Sequence, residues 1–301
     1  MPEELIEEFP YVLNVVSADA DELAGPLRAA VAAHGAAEDI EWLSRDRAFD
    51  IPFDGDPLFV REGARAVAEN IKADINVVSA RRRRKKLLVA DMDSTIIGCE
   101  CLDELADAAG LKPKIAEITE RAMRGEILFE PALRERVALL KGLPVSALAE
   151  THARAVRLNP GAKTLVATMK KHGARTLLVS GGFTFFTSRV AREAGFDAEQ
   201  ANVLLDDGTA LTGKVREPIL GREAKLEALK AEIARLKIAP EDSLAVGDGA
   251  NDLAMIQYAG LGVAYHAKPI VAEAAGASID YGDLRGLLYL QGYKDEEILQ
   301  K

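Results

Sequence analysis

The sequence predicts an α/β protein: a parallel sheet with helices on both faces, an inserted helical cap, and a small α+β domain in front. Three observations predict this. From residue 85 onward the short apolar runs KLLVAD, RTLLVS, SLAVGD and LGVAY alternate with helical stretches, and uninterrupted apolar runs suit strands covered on both faces. Residues from about 98 to 158 read as helix with no strand between them, which is too long for an ordinary crossover. Before the basic run RRRRKK (Arg81 to Lys86) the order becomes strand, helix, strand, strand, helix, strand.

The elements follow in chain order. YVLNVVS is apolar and β-branched, and reads as a strand. DELAGPLRAAVAAHG has apolar residues at helical spacing and stops at a glycine. IEWLS and AFDIPF form a hairpin, EGARAVAENIKA a helix, and DINVVSA a closing strand. This is a split βαβ, ferredoxin-like order. The predicted division is residues 1–80 and 81–301. The acidic character of the whole chain and the strand that follows at once make the basic run a solvated junction between the two. The competing reading is a nucleic-acid or targeting patch. After the junction the strand–helix alternation predicts a Rossmann-like sheet. The cap is inserted directly after the first strand, at about 98–158.

Composition bounds the class. The chain has 301 residues, 49% of them hydrophobic, enough for a substantial core and against disorder. A net charge of −10 argues against nucleic acid or an anionic membrane as partner. No apolar run reaches the ~18 residues of a membrane helix. The start MPEELIEEFP lacks the basic-then-apolar pattern of a signal peptide. Cys99 and Cys101 make no disulfide framework, so a reducing, cytoplasmic setting is expected. As C-x-C they lack the second pair that would complete a soft-metal site. The oligomeric state stays open, a homodimer being one alternative.

Polar clusters recur at the strand ends: Asp91-Met92-Asp93, Ser180-Gly181-Gly182, and Gly247-Asp248-Gly249-Ala250-Asn251-Asp252. Ligands of open α/β sheets bind outside the carboxyl ends of the strands, so the three clusters converge. Converging carboxylates repel unless a cation joins them. A set of oxygen donors without His or Cys suits Mg²⁺. Ser180 and two glycines at a helix start would cradle phosphate, and Lys225 adds positive charge. A phosphoryl group held there is poised for attack by a carboxylate. On a strand, residues i and i+2 share a side, so Asp91 and Asp93 would face one phosphate. In EPALRERVALLKGL, Arg136 falls beside the apolar face of Leu133, Val137 and Leu140. An enclosed Arg needs an anion, and a bidentate carboxylate suits it. Glu100 could receive an ammonium group. A cation and an anion over a phosphate site describe a zwitterionic amino-acid phosphate.

DMDST, VSGG, Lys225 and GDGAND, in that order, resemble the four motifs of the haloacid dehalogenase-like phosphotransferases. The cap stretch MRGEILFEPALRERVALLKGLP closely resembles that of the phosphoserine phosphatase branch, and the likeness covers about residues 85 to 295. It implies that Asp91 is the nucleophile, forming an aspartyl-phosphate, and that Asp93 is general acid and then base. Mg²⁺ would be held by the side chains of Asp91 and Asp248 and the backbone carbonyl of Asp93, with Asp252 orienting that shell. Ser180, the Gly181 N–H and Lys225 would hold phosphate oxygens, and Asn251 would help fix substrate. Thr95 matches the first motif and would support its loop. Arg136 and Glu100 would take the substrate's carboxylate and ammonium, with Met123 and Phe129 as apolar walls. The implied reaction is Mg²⁺-dependent hydrolysis of O-phosphoserine to serine and phosphate, the last step of serine biosynthesis. The alternatives are transfer to another alcohol, another small phosphate ester, and a phospho-acceptor signalling domain. In element order alone, residues 1–80 resemble the amino-acid-sensing ACT domains, with SADADE where those domains often have a turn glycine.

Overall fold

The computed structural model describes residues 8–123 and 126–301. At the amino-terminal end, β1 (Tyr11–Ser17), β2 (Glu41–Ser44), β3 (Ala48–Phe53) and β4 (Ala73–Ser79) form an antiparallel sheet in the order β2-β3-β1-β4. The helices Ala20–Ala32 and Pro57–Val67 join them. The second helix starts where Asp56 accepts the Leu58 N–H at 2.8 Å and Pro57 occupies the first turn. Alternation along β1 sorts its residues. Leu13 and Val15 pack with Phe49, Ile51 and Phe53 under the two helices. Val12 and Val16 join the core of the following sheet. Both faces are therefore covered, which is why this strand reads as a continuous apolar run.

The expectation that Arg81 to Lys86 form a solvated junction holds for Arg81, Arg82, Arg84 and Lys86, which are exposed, and is corrected for Arg83 and Lys85. Asp50 is buried on β3, and a carboxylate there requires a partner. Arg83 supplies it as a fork, with one bond at 2.8 Å, and donates also to the Leu290 carbonyl at 2.8 Å. Lys85 is buried and donates to the Arg82 and Glu241 carbonyls, both at 2.8 Å. Burial pushes its pKa down to about 8. Arg82 and Lys86 share Asp242, and Arg84 pairs with Glu297. The run is a strap between the two sheets. A buried charge stripped of its partner costs about 3–5 kcal/mol, and that makes the strap specific.

The second sheet is parallel. Its strands are β5 (Leu87–Ala90), β6 (Arg175–Phe183), β7 (Ala198–Asn202), then, after the small antiparallel hairpin β8 (Leu204–Asp206) and β9 (Leu211–Val215), β10 (Ser243–Gly247), β11 (Leu261–Tyr265) and β12 (Ala277–Ile279). The order is β12-β11-β10-β5-β6-β7. The four apolar runs are β5, β6, β10 and β11. Leu87 and Val89 face one helical layer, Leu88 and Ala90 the other. Strand β5 lies between β10 and β6, so its carboxyl end is flanked by theirs.

Four helices, Cys101–Ala108, Lys112–Met123, Phe129–Leu139 and Ser146–Ala155, fill the insertion after β5. A bridge between Ile97 and Leu158 closes its base. The β8–β9 hairpin braces its far side: Gly142 N–H donates to Leu211 O, Leu211 N–H to Leu143 O, and Val145 N–H to Thr209 O. Strands β7, β8, β9 and β12 carried no apolar signal. They are short or edge strands, where polar residues are tolerated.

Candidate active site

Asp91 follows β5, and its N–H still donates to the Val246 carbonyl at 3.0 Å. The expectation that a strand carries both aspartates is corrected, because β5 ends at Ala90. The backbone stays extended at Asp91 (φ −68°, ψ 160°) and Asp93 (φ −68°, ψ 137°), then turns at Ser94, whose φ is 55°. Among the described residues Ser94 is one of the few other than glycine in the left-handed region, a costly conformation held by its surroundings. The turn brings Cys101 back, and its N–H donates to Asp93 Oδ1 at 2.9 Å.

Asp93 Oδ2 accepts from Ser180 Oγ at 3.1 Å, and Ser180 Oγ accepts the Gly182 N–H at 2.8 Å. Burial raises the Asp93 pKa, while the Cys101 N–H and Ser180 hydroxyl pull it back. Ser180 and its glycines were expected at a helix start. Instead β6 continues to Phe183, and the helix begins at Thr184. The pairing of β6 with β7 slips between Val179 and Phe183. A local bulge of this kind aims backbone groups out of a sheet. A methyl group on Gly182 would meet Ser180 Oγ at 3.0 Å and Asp93 Oδ2 at 3.1 Å, so the close approach of these groups needs glycine.

Ligand oxygens of Asp91, Asp248 and Asp252 lie within 4.8 Å of one another. Lys225 is buried between two of these residues. Its Nζ lies 2.7 Å from Asp91 Oδ1 and 2.6 Å from Asp252 Oδ1. Of the lysines on this stretch, Lys214 is exposed on β9 and Lys230 pairs with Glu227. Burial, then the Asp252 charge, raises the Asp91 pKa well above the carboxylate range even against Lys225. The same two causes push Asp248 up to about 6. Burial alone would lower the Lys225 pKa, but Asp252 and Asp91 outweigh it and raise it. Three carboxylates facing one ammonium leave negative charge in excess, and all the donors are hard oxygens. The set therefore fits a divalent cation. Thr95 Oγ1 lies 3.5 Å from Asp248 Oδ1, and Asn251 sits half-buried on the same loop. Asp252 was expected outside the ligand shell, and its carboxylate stands with the other two. Asp93 turns its side chain away, toward Ser180.

Gly247 ends β10 under Asp252. A Cβ there would fall 2.3 Å from Asp252 Cγ, and Asp252 has no room to retreat because Lys225 and the Gly249 N–H hold it. Gly247→Ala should lower kcat/KM by about 100-fold, the scale of a 1 Å displacement at a reacting centre. Steady-state assay of the purified variant checks this. Retention of wild-type turnover would mean that the Lys225–Asp252 geometry does not matter.

The cap contributes the opposite wall. On the helix Phe129–Leu139, Leu133 and Val137 are buried with Leu140. Arg136 is half-buried beside them, its Nε donating to the Ala132 carbonyl at 3.3 Å. Burial lowers its pKa, while the charges of Asp103 and Glu100 act to raise it. Glu100 accepts from Ser94 Oγ at 2.7 Å. The residue is exposed as a whole, yet enclosure of its carboxyl group and then the Asp93 charge push its pKa up to about 7. The Phe129 ring lies 3.4 Å from where a Gly181 side chain would begin, forming a lid edge over that turn. The Met123 side chain lies outside the described residues.

The haloacid dehalogenase-like hydrolase family matches residues 88–257, which span every motif just described. The chain belongs to the haloacid dehalogenase-like hydrolases. Among curated members of that family, the phosphoserine phosphatase of a Polaromonas species is 51% identical over 210 residues, 68% of this chain and 89% of that one. That of Archaeoglobus fulgidus is 45% identical over 235 residues, 77% and 68% of the two chains. A solved structure, a probable phosphoserine phosphatase from Vibrio cholerae, superimposes with a TM-score of 0.79 at 29% identity, over 97% of this chain and 91% of that one. The family match and these relatives together make the chain a phosphatase, and no helix among the described residues is long and apolar enough to cross a membrane.

Three contributors escaped the sequence reading: the Cys101 N–H on Asp93, Gly247 beneath Asp252, and the buried Asn202 at the end of β7. A backbone donor has no sequence signature. Gly247 was named within the strand-end cluster of GDGAND, but no role was assigned to it. Asn202 stands in the polar stretch AEQAN, where nothing separates a buried amide from an exposed one.

Proposed function

We propose that this haloacid dehalogenase-like hydrolase is a Mg²⁺-dependent phosphoserine phosphatase. The observation that carries the reading is a cation and an anion near the phosphate-type cluster: Arg136, half-buried on the cap, and Glu100, which accepts from Ser94, the neighbour of the Asp93 that bonds Ser180. One end of the site suits a phosphate, and the other suits a carboxylate and an ammonium. The names of the curated relatives support the same substrate.

In this reading Asp91 attacks the phosphorus. The phosphorus–oxygen bond to serine breaks as Asp93 delivers a proton to the departing oxygen, and an aspartyl-phosphate remains on Asp91. Asp93, now ionised, takes a proton from the water that attacks the phosphorus, and phosphate leaves. The raised pKa of Asp93 suits a group that must first donate. Ser180, the Gly181 N–H and Lys225 hold phosphate oxygens, Asn251 helps fix substrate, and Phe129 closes the apolar side. Asp91, Asp248 and the Asp93 carbonyl would hold the Mg²⁺, and Asp252, which stands beside them but is already held by Lys225 and the Gly249 N–H, would orient that shell. When bound, the ion supplies positive charge that offsets the charge gathering on the phosphoryl oxygens. Residues 1–80 are proposed as an ACT-like domain and 81–301 as the phosphatase domain with its cap. Two free cysteines fit a cytoplasmic setting.

Arg136→Ala tests the substrate. Losing a charge-assisted fork on an enclosed carboxylate costs about 2–5 kcal/mol, or about 30- to several-thousand-fold in kcat/KM at ~1.4 kcal/mol per decade. The loss should appear with phosphoserine and be small with an aryl phosphate. Arg136→Lys should restore little, because a point charge cannot reproduce the fork. Equal losses on both substrates would detach Arg136 from carboxylate recognition.

Glu100 makes a pH prediction. Its folded pKa is raised to about 7, so it is ionised above that pH and neutral below. Its attraction for an ammonium is present at pH 8 and lost as pH falls through 7. One unit below the pKa, about nine-tenths of the groups are neutral, so KM for phosphoserine should rise about tenfold by pH 6. An aryl phosphate, with no ammonium, sets the baseline for changes in the phosphate itself. A KM ratio between the two substrates that stays flat from pH 6 to 8 removes Glu100 from ammonium binding.

A further inference from the structure

We propose that Asn202 is a positioning residue that sets the distance between the phosphate-holding turn and the lysine helix. This rests on Ser180, Gly181 and Lys225 as the phosphate-holding groups.

The need for it arises in the sheet. Where β6 slips against β7, between Val179 and Phe183, the Gly181 carbonyl leaves the ladder. A carbonyl there must find another partner or be left unpaired at a cost. Asn202, paired in register with Phe183 and buried to 2% exposure, provides it: Nδ2 donates to Gly181 O at 2.9 Å. The other hydrogen of Nδ2 goes to Leu220 O at 3.2 Å, and Oδ1 accepts the Leu220 N–H at 2.8 Å. One carboxamide thus grips both backbone groups of Leu220 and the carbonyl of Gly181. Leu220 is two residues ahead of the helix Arg222–Leu236, whose first turn carries Lys225. On the other side, the residue before Gly181 is Ser180, which bonds Asp93.

The donor pattern demands an amide. Two carbonyls require two N–H groups, and the Leu220 N–H requires an acceptor. Aspartate, the same size, keeps the acceptor but turns an oxygen on two carbonyl oxygens. Serine has a single hydroxyl and is too short to reach all three. Phe129 lies against this same seam: its ring borders the Cβ positions of both Gly181 and Gly221. A shift of Leu220 relative to Gly181 therefore moves Lys225 relative to the phosphate turn, and Phe129 is a border contact of that seam rather than part of its hydrogen bonding.

The experiment compares wild type with Asn202→Asp and Asn202→Ser on p-nitrophenyl phosphate, with inorganic phosphate as inhibitor, well below each protein's Tm. Both variants should lose about 100-fold in kcat/KM, the scale of a small misplacement at a reacting centre. The inhibition constant for phosphate should weaken as well. The ratio of phosphoserine to aryl phosphate activity should stay near that of wild type, because Arg136 and Glu100 lie on the cap side. In Asn202→Asp the deficit relative to wild type should shrink as pH falls, because protonation restores one donor. A residue needed only for folding would lower Tm and leave these four readings unchanged. Activity and phosphate inhibition within about threefold of wild type would overturn the proposal, as would failure of both variants to fold. Using an aryl phosphate separates this result from the substrate reading. If wild type hydrolyses the aryl ester and ignores phosphoserine, the substrate assignment falls while the readings on Asn202 still stand.

Discussion

Asp91→Asn is expected to lower kcat/KM by roughly four to six orders of magnitude on every phosphate ester, the scale seen when a nucleophile is removed. Asparagine has the same shape and cannot form the aspartyl-phosphate. The fold should survive, because the acceptor for the Met92 N–H, at 2.7 Å, is retained as the amide oxygen. Stability should hold or rise. Asp91 is a buried carboxylate pushed toward neutrality by burial and by Asp252, so removing its charge relieves repulsion inside the cluster. The opposing change is the loss of one of the two carboxylates bound by Lys225, which keeps Asp252 at 2.6 Å. The measurement is single-turnover and steady-state hydrolysis of a variant checked by mass for deamidation, alongside its Tm. Near-normal turnover in a preparation whose mass shows the amide intact would exclude Asp91 as nucleophile.

Asp93→Asn should separate substrates by their leaving groups. Serine is a poor leaving group whose oxygen must be protonated as the bond breaks, and general acid catalysis is worth about 100- to 10,000-fold in such steps. An aryl phosphate leaves as a stabilised phenolate and needs little of this help. The first step with phosphoserine should therefore fall by about that full range, and the first step with an aryl phosphate by much less. With the aryl ester, the second step should become limiting, because the amide cannot accept a proton from water. A burst of phenol followed by slow turnover is the expected trace. The amide oxygen can still accept the Cys101 N–H, and the Ser180 hydroxyl can reorient, so the site geometry is kept. Equal losses in the first step for both esters would take Asp93 out of the acid role.

Much of the protein was legible in its residues. Four apolar runs marked the buried strands, because a strand covered on both faces has no polar positions to interrupt it. Asp91, Asp93, Ser180, Lys225 and Asp248 stood out as polar groups at strand ends or in motif order, and a parallel sheet gathers those ends along one edge. Arg136 was visible from helical spacing alone, because a charge at the margin of a buried stripe breaks its pattern.

Other features depend on contacts between distant segments. Arg81 to Lys86 read as solvated because a run of like charges normally is. Asp50, 33 residues earlier, takes Arg83 into the interior. The β8–β9 hairpin that braces the cap has short strands of mixed character and is held by backbone bonds to residues 142–145. The end of β6 read as a helix start, but pairing with β7 extends it to Phe183 and creates the bulge that Asn202 closes. The sequence alone determined which side chains carry charge and reactivity, and along which strands and helices they recur, because periodicity is a local property of the chain. Only the tertiary structure decided which of them are buried together, where Asp252 stands, and which amide joins Gly181 to Leu220. Those outcomes depend on desolvation and on hydrogen-bond partners that come from residues far apart in the chain.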